Sequence, residues 1–230
     1  MGSDYIPANG MRIFQKKGVF SFSMDSVLLA AYGESRGRVL DLGCGSGYLA
    51  LMATKDADEV VAVDRLQEAV ELVEKSAAAN GVNIQTAVGD FRELELAPCD
   101  VIFTNPPFYR DSMTNDDPSI SAAKHLDPDM RWFYEAARFL KPGGKIYGIV
   151  DVARFQEVVA DLTAAHVALK RMRPVYWKRG EAARRILFEG VSGGGCFMVL
   201  EPALYVYEKG AYSEEVAGYY GREGGFLSHA

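Results

Sequence analysis

The sequence predicts an α/β fold: a mostly parallel, seven-stranded sheet with helices on both faces, closed at its C-terminal side by an antiparallel hairpin. Two observations predict it. Strand-sized apolar runs alternate with helical stretches through residues 39–165, a pattern that suits parallel strands joined by crossover helices. The last third then changes to short β-like runs at 175–177, 186–188 and 197–200, separated by Gly180 and by Gly193-Gly194-Gly195, as an antiparallel closure requires. A chain of 230 residues fits one such domain, and 49% hydrophobic residues suffice for its core.

Taken in order, residues 39–42 (VLDL) read as the first strand, followed by the glycine-rich turn 43–47 and a helix over 48–55. Residues 59–64 (EVVAVD) are nearly all valine and alanine, the composition of a strand buried on both faces. Residues 67–80 place Ala69, Val70, Val73, Ala77 and Ala78 on one helical stripe, and Asn80-Gly81 stops that helix. Residues 84–88 and 101–104 read as the next two strands. Pro106 and Pro107, which lack amide hydrogens, end the latter. A polar stretch over 109–127 has the character of a substrate loop. It leads to a helix over 129–140, a turn at 141–144, a strand over 145–150 and a helix over 153–165.

Composition excludes several classes. No apolar run approaches the roughly 20 residues of a membrane helix, and residues 1–10 show no secretory pattern. Cys44, Cys99 and Cys196 are odd in number and show no CxxC spacing, which speaks against a disulfide framework or a metal site and for a reducing, cytoplasmic setting. Net charge is −6, yet residues 170–185 carry seven cations against Glu181 alone, a net +6 that leaves −12 on the remainder. With Tyr176 and Trp177 interleaved, that segment has the character either of a nucleic-acid face or of a solvated hairpin.

The chemistry concentrates at strand ends. Asp41-Leu42-Gly43-Cys44-Gly45-Ser46-Gly47 runs from a strand into a helix at the carboxyl edge of the sheet, where ligands bind. The spacing is G-x-G-x-G, not the G-x-G-x-x-G of dinucleotide sites, and Asp41 would repel a pyrophosphate but suit a cationic amino-acid moiety. This stretch resembles motif I of class I S-adenosylmethionine-dependent methyltransferases. The resemblance implies a Rossmann-like fold, S-adenosylmethionine as cofactor, and cofactor contacts from Asp41, Gly43, Gly45 and Gly47. It adds Asp64 for the ribose hydroxyls, Asp90 for the adenine amine and Phe91 as the residue that covers the ring.

Asn105-Pro106-Pro107-Phe108 resembles the catalytic motif of methyltransferases that act on planar amino groups, namely adenine N6, cytosine N4 and the glutamine amide. A conjugated amine is a poor nucleophile, so its site must accept the amine hydrogens. Asn105 Oδ1 and the Pro106 carbonyl can do so, and Phe108 offers a stacking face. Upstream, Phe20, Phe22, Asp25, Leu28 and Leu29 form an F-x-F-x-x-D-x-x-L-L pattern similar to that of the bacterial methyltransferases acting on the adenine 3′ to the anticodon of a valine tRNA. Residues 172–176, 182–190 and 201–207 are similar to that family too. Lys124-His125-Leu126 departs from the Arg-His-Glu-like triplet often found there, so an acidic contribution is missing.

The leading expectation is thus a tRNA adenine-N6 methyltransferase, with Lys170, Arg171, Lys178 and Arg179 holding RNA phosphates and no obligate protein partner. The alternatives are a glutamine-N5 protein methyltransferase, an enzyme acting on adenine N6 of rRNA or DNA, and a catalytically inert RNA-binding scaffold. The glutamine enzymes usually carry a separate N-terminal helical domain, whereas about 35 residues precede motif I here. The expected organisation is an N-terminal extension over 1–35 packed on the core, a methyltransferase domain over 36–210 and a tail over 211–230.

Overall fold

In the computed structural model, residues 2–16, 21–106 and 131–221 are described. The expected loop at 109–127, Pro107, Phe108, Lys124, His125, Leu126 and Phe20 lie outside them.

The chain opens with a hairpin, β1 (Gly2–Tyr5) and β2 (Arg12–Gln15), then α1 (Met24–Tyr32), β3 (Arg38–Leu42), α2 (Tyr48–Ala53), β4 (Glu59–Asp64), α3 (Gln67–Asn80), β5 (Gln85–Val88) and β6 (Cys99–Thr104). After the undescribed stretch come α4 (Trp132–Ala137), β7 (Leu140–Asp151), a 3-10 turn (Val152–Arg154), α5 (Phe155–Ala164), β8 (Val167–Tyr176) and β9 (Ala183–Ser192). The short strands β10 (Val199–Leu200), β11 (Leu204–Tyr205), β12 (Tyr207–Glu208) and β13 (Ala211–Tyr212) precede α6 (Glu214–Tyr219).

Seven strands form the core sheet in the order β5-β4-β3-β6-β7-β9-β8, and β10 and β11 both add to the outer edge of β8. Strands β3 to β7 run parallel, and β9 is antiparallel to both β7 and β8. The chain runs outward from β3 to β5, then returns to β3's other side at β6. That reversal makes the β3/β6 boundary the topological switch point, where open α/β sheets bind ligands. The valines and alanine of β4, residues 60–63, are buried as their composition predicts. The Lys141–Gly144 turn appears as a bulge in β7: pairing jumps from Cys99 with Leu140 to Val101 with Lys145, and Gly143 has φ +75°.

Sequence and structure differ in several places. The run at 197–200, expected in the antiparallel closure, supplies β10, which pairs parallel to β8, so β9 alone closes the sheet antiparallel to β7 and β8. The buried stripe of α3 includes Leu72 and Ser76 and leaves Ala78 exposed, because β2 packs along that helix: Phe14 N donates to Ser76 Oγ (2.9 Å). The Asn80 side chain continues this packing as a strand would, accepting from Arg12 N (2.8 Å) and donating to Arg12 O (2.7 Å). The short run read at 175–177 is the end of a ten-residue strand, β8, whose lysine and arginines kept its apolar period from view. The segment expected as a tail includes α6, whose Val216 is fully buried, while Arg173 on β8 pairs with Glu215 at 2.6 Å.

Helix α1 is pinned to the sheet by charge. Arg185 on β9 donates to Asp25 Oδ2 on α1 (3.0 Å) and to Asp151 Oδ2 at the end of β7 (2.9 Å). The Asp25 side chain is 11% exposed, and burial pushes its pKa up against the pull of Arg185. Replacing Arg185 by methionine strands that carboxylate and is expected to cost about 3 kcal/mol. Adding Asp25→Asn should restore part of the loss, as urea melts of both variants will read.

Candidate functional site

The register brings the predicted residues to one level. Leu42 pairs with Val63 on one side and with Thr104 on the other, and Asp64 pairs with Val88. The residues that leave these strands, Gly43, Asp64, Gly89-Asp90 and Asn105, therefore emerge side by side, with neighbouring strands about 4.8 Å apart.

Gly43, Gly45 and Gly47 all have positive φ (73°, 52° and 79°), a conformation open to glycine at little cost. At Gly47 a Cβ would also stand 2.7 Å from Val73 Cγ2, so α3 leaves no room for a side chain there. The turn is fastened to β4: Gly43 N and Cys44 N both donate to Val63 O (2.9 and 3.0 Å), and Gly45 N donates to Asp64 Oδ2 (3.0 Å). Asp64 Oδ1 accepts from Leu66 N (3.0 Å). The Arg65 amide bonds this carboxylate as well, and of its four lone-pair sites capacity remains for a ligand hydroxyl. Burial pushes the Asp64 pKa up.

Asp41 is 1% exposed, and its Oδ2 accepts from Ala50 N (2.9 Å). Its Oδ1 is buried with no hydrogen-bond partner among the described residues. Burial raises its pKa to about 7, with the Ala50 bond opposing and the nearby Asp64 charge adding to the rise. Asp90 is held by Arg92 through a 2.6 Å ion pair, which lowers its pKa. The Phe91 ring is 4% exposed and packs edge-on against Trp132 (4.9 Å) and Phe139 (6.4 Å).

Asn105 follows Thr104 directly. Its Nδ2 stands 3.5 Å from Ser26 Oγ of α1, and its Oδ1 is buried with no partner among the described residues. Pro106 is buried. Thr104 Oγ1 donates to Leu42 O (2.9 Å) and accepts from Trp132 Nε1 (2.9 Å), which ties the two strand ends to α4. Neither Trp132 nor Ser26 carries a local signature. Both lie on helices, and their place at the site follows from how α1 and α4 pack on the sheet.

The basic segment divides. Arg171 is bound within the protein, to Glu201 (2.8 Å) and Glu189 (3.4 Å), with its guanidinium over the Tyr32 ring. By pairing it sits at the level of Glu189, Tyr147, Phe103 and Asp41, five residues short of Tyr176, or about 17 Å back along β8. Lys170 donates to Gly195 O (3.1 Å). Lys178 and Arg179 follow Tyr176 and leave the sheet at the edge where Asn105 lies. The four cations do not form one patch.

A class I methyltransferase that uses S-adenosylmethionine is the class this fold and glycine turn define, and the chain belongs to the methyltransferase small domain family, whose profile matches residues 10–155. Within that class it is similar to proteins named tRNA1(Val) (adenine(37)-N6)-methyltransferase. The Tolumonas auensis relative is 30% identical over 196 residues, covering 81% of this chain and 83% of that protein. The Dyadobacter fermentans relative is 31% identical over 204 residues, covering 80% and 81%. Among solved structures, one described as a predicted O-methyltransferase from Agrobacterium tumefaciens superposes with a TM-score of 0.67 at 20% identity, over 86% of this chain and 95% of that one. Trm5b from Pyrococcus abyssi does so with a TM-score of 0.57 at 20% identity, over 80% and 54%. These two likenesses show the fold.

The residues present fit the cofactor. The unsatisfied Asp41 oxygen suits an ammonium group, Asp64 suits a sugar hydroxyl, and the glycines, which carry no side chains, let a ligand come close to the turn. The Asp41 pKa has a measurable consequence. Below about pH 7 the folded protein keeps a proton that an unfolded aspartate loses near 3.8, so this group's contribution to stability falls as pH rises between those values. A cationic ligand favours the carboxylate, so S-adenosylmethionine is expected to bind more tightly as pH rises toward about 7, with proton release seen by calorimetry in buffers of different ionisation heat. In Asp41→Asn that dependence should shrink to what Asp64 contributes.

Proposed function

We propose that this chain transfers the methyl group of S-adenosylmethionine to the N6 amine of adenine 37 in the anticodon loop of tRNA1(Val). The observation that carries the reading is Asn105: a buried side-chain acceptor with no partner among the described residues, one residue past the strand pair at the switch point and level with the cofactor turn. The similarity to the tRNA1(Val) relatives, which spans most of the chain, supplies the substrate. A tRNA substrate makes the cytoplasm the place of action.

The chemistry follows from the acceptor. When bound, the cofactor supplies a methyl group on a positively charged sulfur. The adenine amine is conjugated to its ring and donates its lone pair poorly. Asn105 Oδ1 accepts one N6 hydrogen and the Pro106 carbonyl the other, which keeps electron density on nitrogen as it attacks. Transfer to N6 would leave the sulfur–carbon electrons on a neutral sulfur and release one amine proton to solvent. No strong base is needed, because the methylated nitrogen is acidic until that proton leaves. Phe108 is assigned the stacking face and Pro107 the turn that presents it. Gly43, Gly45, Gly47, Asp41, Asp64, Asp90 and Phe91 are assigned to the cofactor. For Phe91 the ring is buried against Trp132 and Phe139, so its contact is assigned to the backbone.

The acceptor works hardest in the transition state, so its loss should lower turnover more than it raises KM. Asn105→Ala is expected to bind S-adenosylmethionine normally and to methylate a tRNA1(Val) transcript about a hundred- to thousandfold more slowly in single turnover, a loss of about 2.7–4 kcal/mol. Asn105→Asp keeps an acceptor and should retain part of the rate. Wild-type rates in Asn105→Ala would return the motif to a proline turn.

A further inference from the structure

Two hairpin tips meet at the edge of the sheet from which Asn105 emerges. Strand β8 ends at Tyr176, which pairs with Ala183 of β9, so residues 177–182 form a turn beyond the level of Asp151 at the end of β7. Strand β11 runs beside β8, and the chain stays attached past its end: Val206 N donates to Tyr176 O (2.8 Å) and Tyr207 N to Trp177 O (2.9 Å). The β12–β13 hairpin follows at once, with Tyr207 opposite Tyr212 and Glu208 opposite Ala211. Its two-residue turn is Lys209-Gly210, with φ +50° and +84°. Such turns favour Asn, Asp or Gly at the first position, so a lysine there accepts backbone strain and stands at the hairpin tip.

Between the tips lies a cavity of about 340 Å³ lined by Lys178, Arg179, Tyr207, Glu208, Lys209 and Gly210. Its charges are not balanced. Arg179 lies over the Tyr205 ring (4.2 Å) and pairs with Glu208 (3.1 Å), so the one carboxylate lining the cavity is already matched. Lys178 and Lys209, both exposed, have no acidic partner among the described residues. On a chain of net charge −6, two unmatched ammonium groups facing one cavity mark a site for an anion. Two convergent lysines treat that anion as a point charge and carry no sequence information, which suits a phosphodiester.

We propose that this cleft binds a backbone phosphate of the tRNA substrate outside the nucleotide being methylated, with Lys178 and Lys209 as the paired contacts. The inference rests on the tRNA reading of the active site. It adds Lys209 to the RNA surface and leaves Arg171 out of it.

The test uses the full chain with Lys178→Ala, Lys209→Ala, the double variant, and a charge reversal, K178E with K209E. Affinity for tRNA1(Val) transcript is measured from about 50 to 200 mM salt, alongside S-adenosylmethionine affinity and turnover at saturating tRNA. The double alanine variant is expected to lose about tenfold in tRNA affinity at the low end and to show a salt slope shallower by about one. Cofactor affinity and saturated turnover should be unchanged, and the reversal should weaken tRNA binding further. Wild-type affinity and slope in the double variant would overturn the proposal, as would loss of poly-glutamate binding without loss of tRNA binding, which would give the cleft to an acidic protein segment. Failure of the wild-type chain to bind or methylate tRNA would instead remove the functional reading on which the proposal stands.

Discussion

The site depends on one short set of bonds between the glycine turn and the strand beside it. Val63 O takes the Gly43 and Cys44 amides, and the Asp64 carboxylate takes that of Gly45. They hold three consecutive amides in a shape the backbone would not keep alone, since two of those residues are glycines at positive φ. Every other part of the site is placed relative to this turn. Leu42 fixes Thr104 by pairing, Thr104 fixes Trp132 by a hydrogen bond, and Asn105 follows Thr104 in the chain.

The same arrangement gathers two carboxylates at a place where one is buried and the other nearly so. Asp41 and Asp64 lie close enough that the charge of one raises the pKa of the other, and burial raises both. Taken alone this is unfavourable, because a buried carboxylate with an unmatched oxygen carries a desolvation cost. A cation at the turn relieves it. The site is therefore built for a positively charged ligand rather than for a pyrophosphate, which separates it from the dinucleotide sites that share its topology. On the outside of the sheet the opposite rule holds. Arg171 and Arg173 of β8 are absorbed by Glu189, Glu201 and Glu215, while Lys178 and Lys209 at the hairpin tips have no acidic partner among the described residues.

Much of this was legible in the sequence, because strand-end motifs are local. The turn at residues 43–47, Asp64 at the end of its strand and Asn105 before two prolines each carry their own punctuation, and a parallel sheet brings successive strand ends to one edge. What could not be read has a common cause. Trp132, Ser26 and the Arg185 bridge act across 28, 79 and 160 positions of sequence, and nothing in their immediate neighbourhoods distinguishes them. The basic segment misled for the same reason. Composition gathers Arg171 with Lys178, whereas strand geometry separates them and supplies Arg171 with carboxylates from β9 and from the segment beyond β10. Lys209 escaped because it lies some thirty positions away in sequence, beside Lys178 only through the pairing of β11 with β8.

The central claim is that Asn105, level with the cofactor turn, polarises an adenine amine of tRNA. The measurement that tests it most directly is the identity of the product. The chain is incubated with S-adenosylmethionine labelled in the methyl group and with unmodified tRNA1(Val), and the RNA is digested to nucleosides and separated against standards by mass spectrometry. The account predicts label in N6-methyladenosine, lost when adenine 37 is replaced by guanine. Label in a ring-nitrogen methyladenosine, in another base, or on protein glutamine with none in tRNA would contradict it.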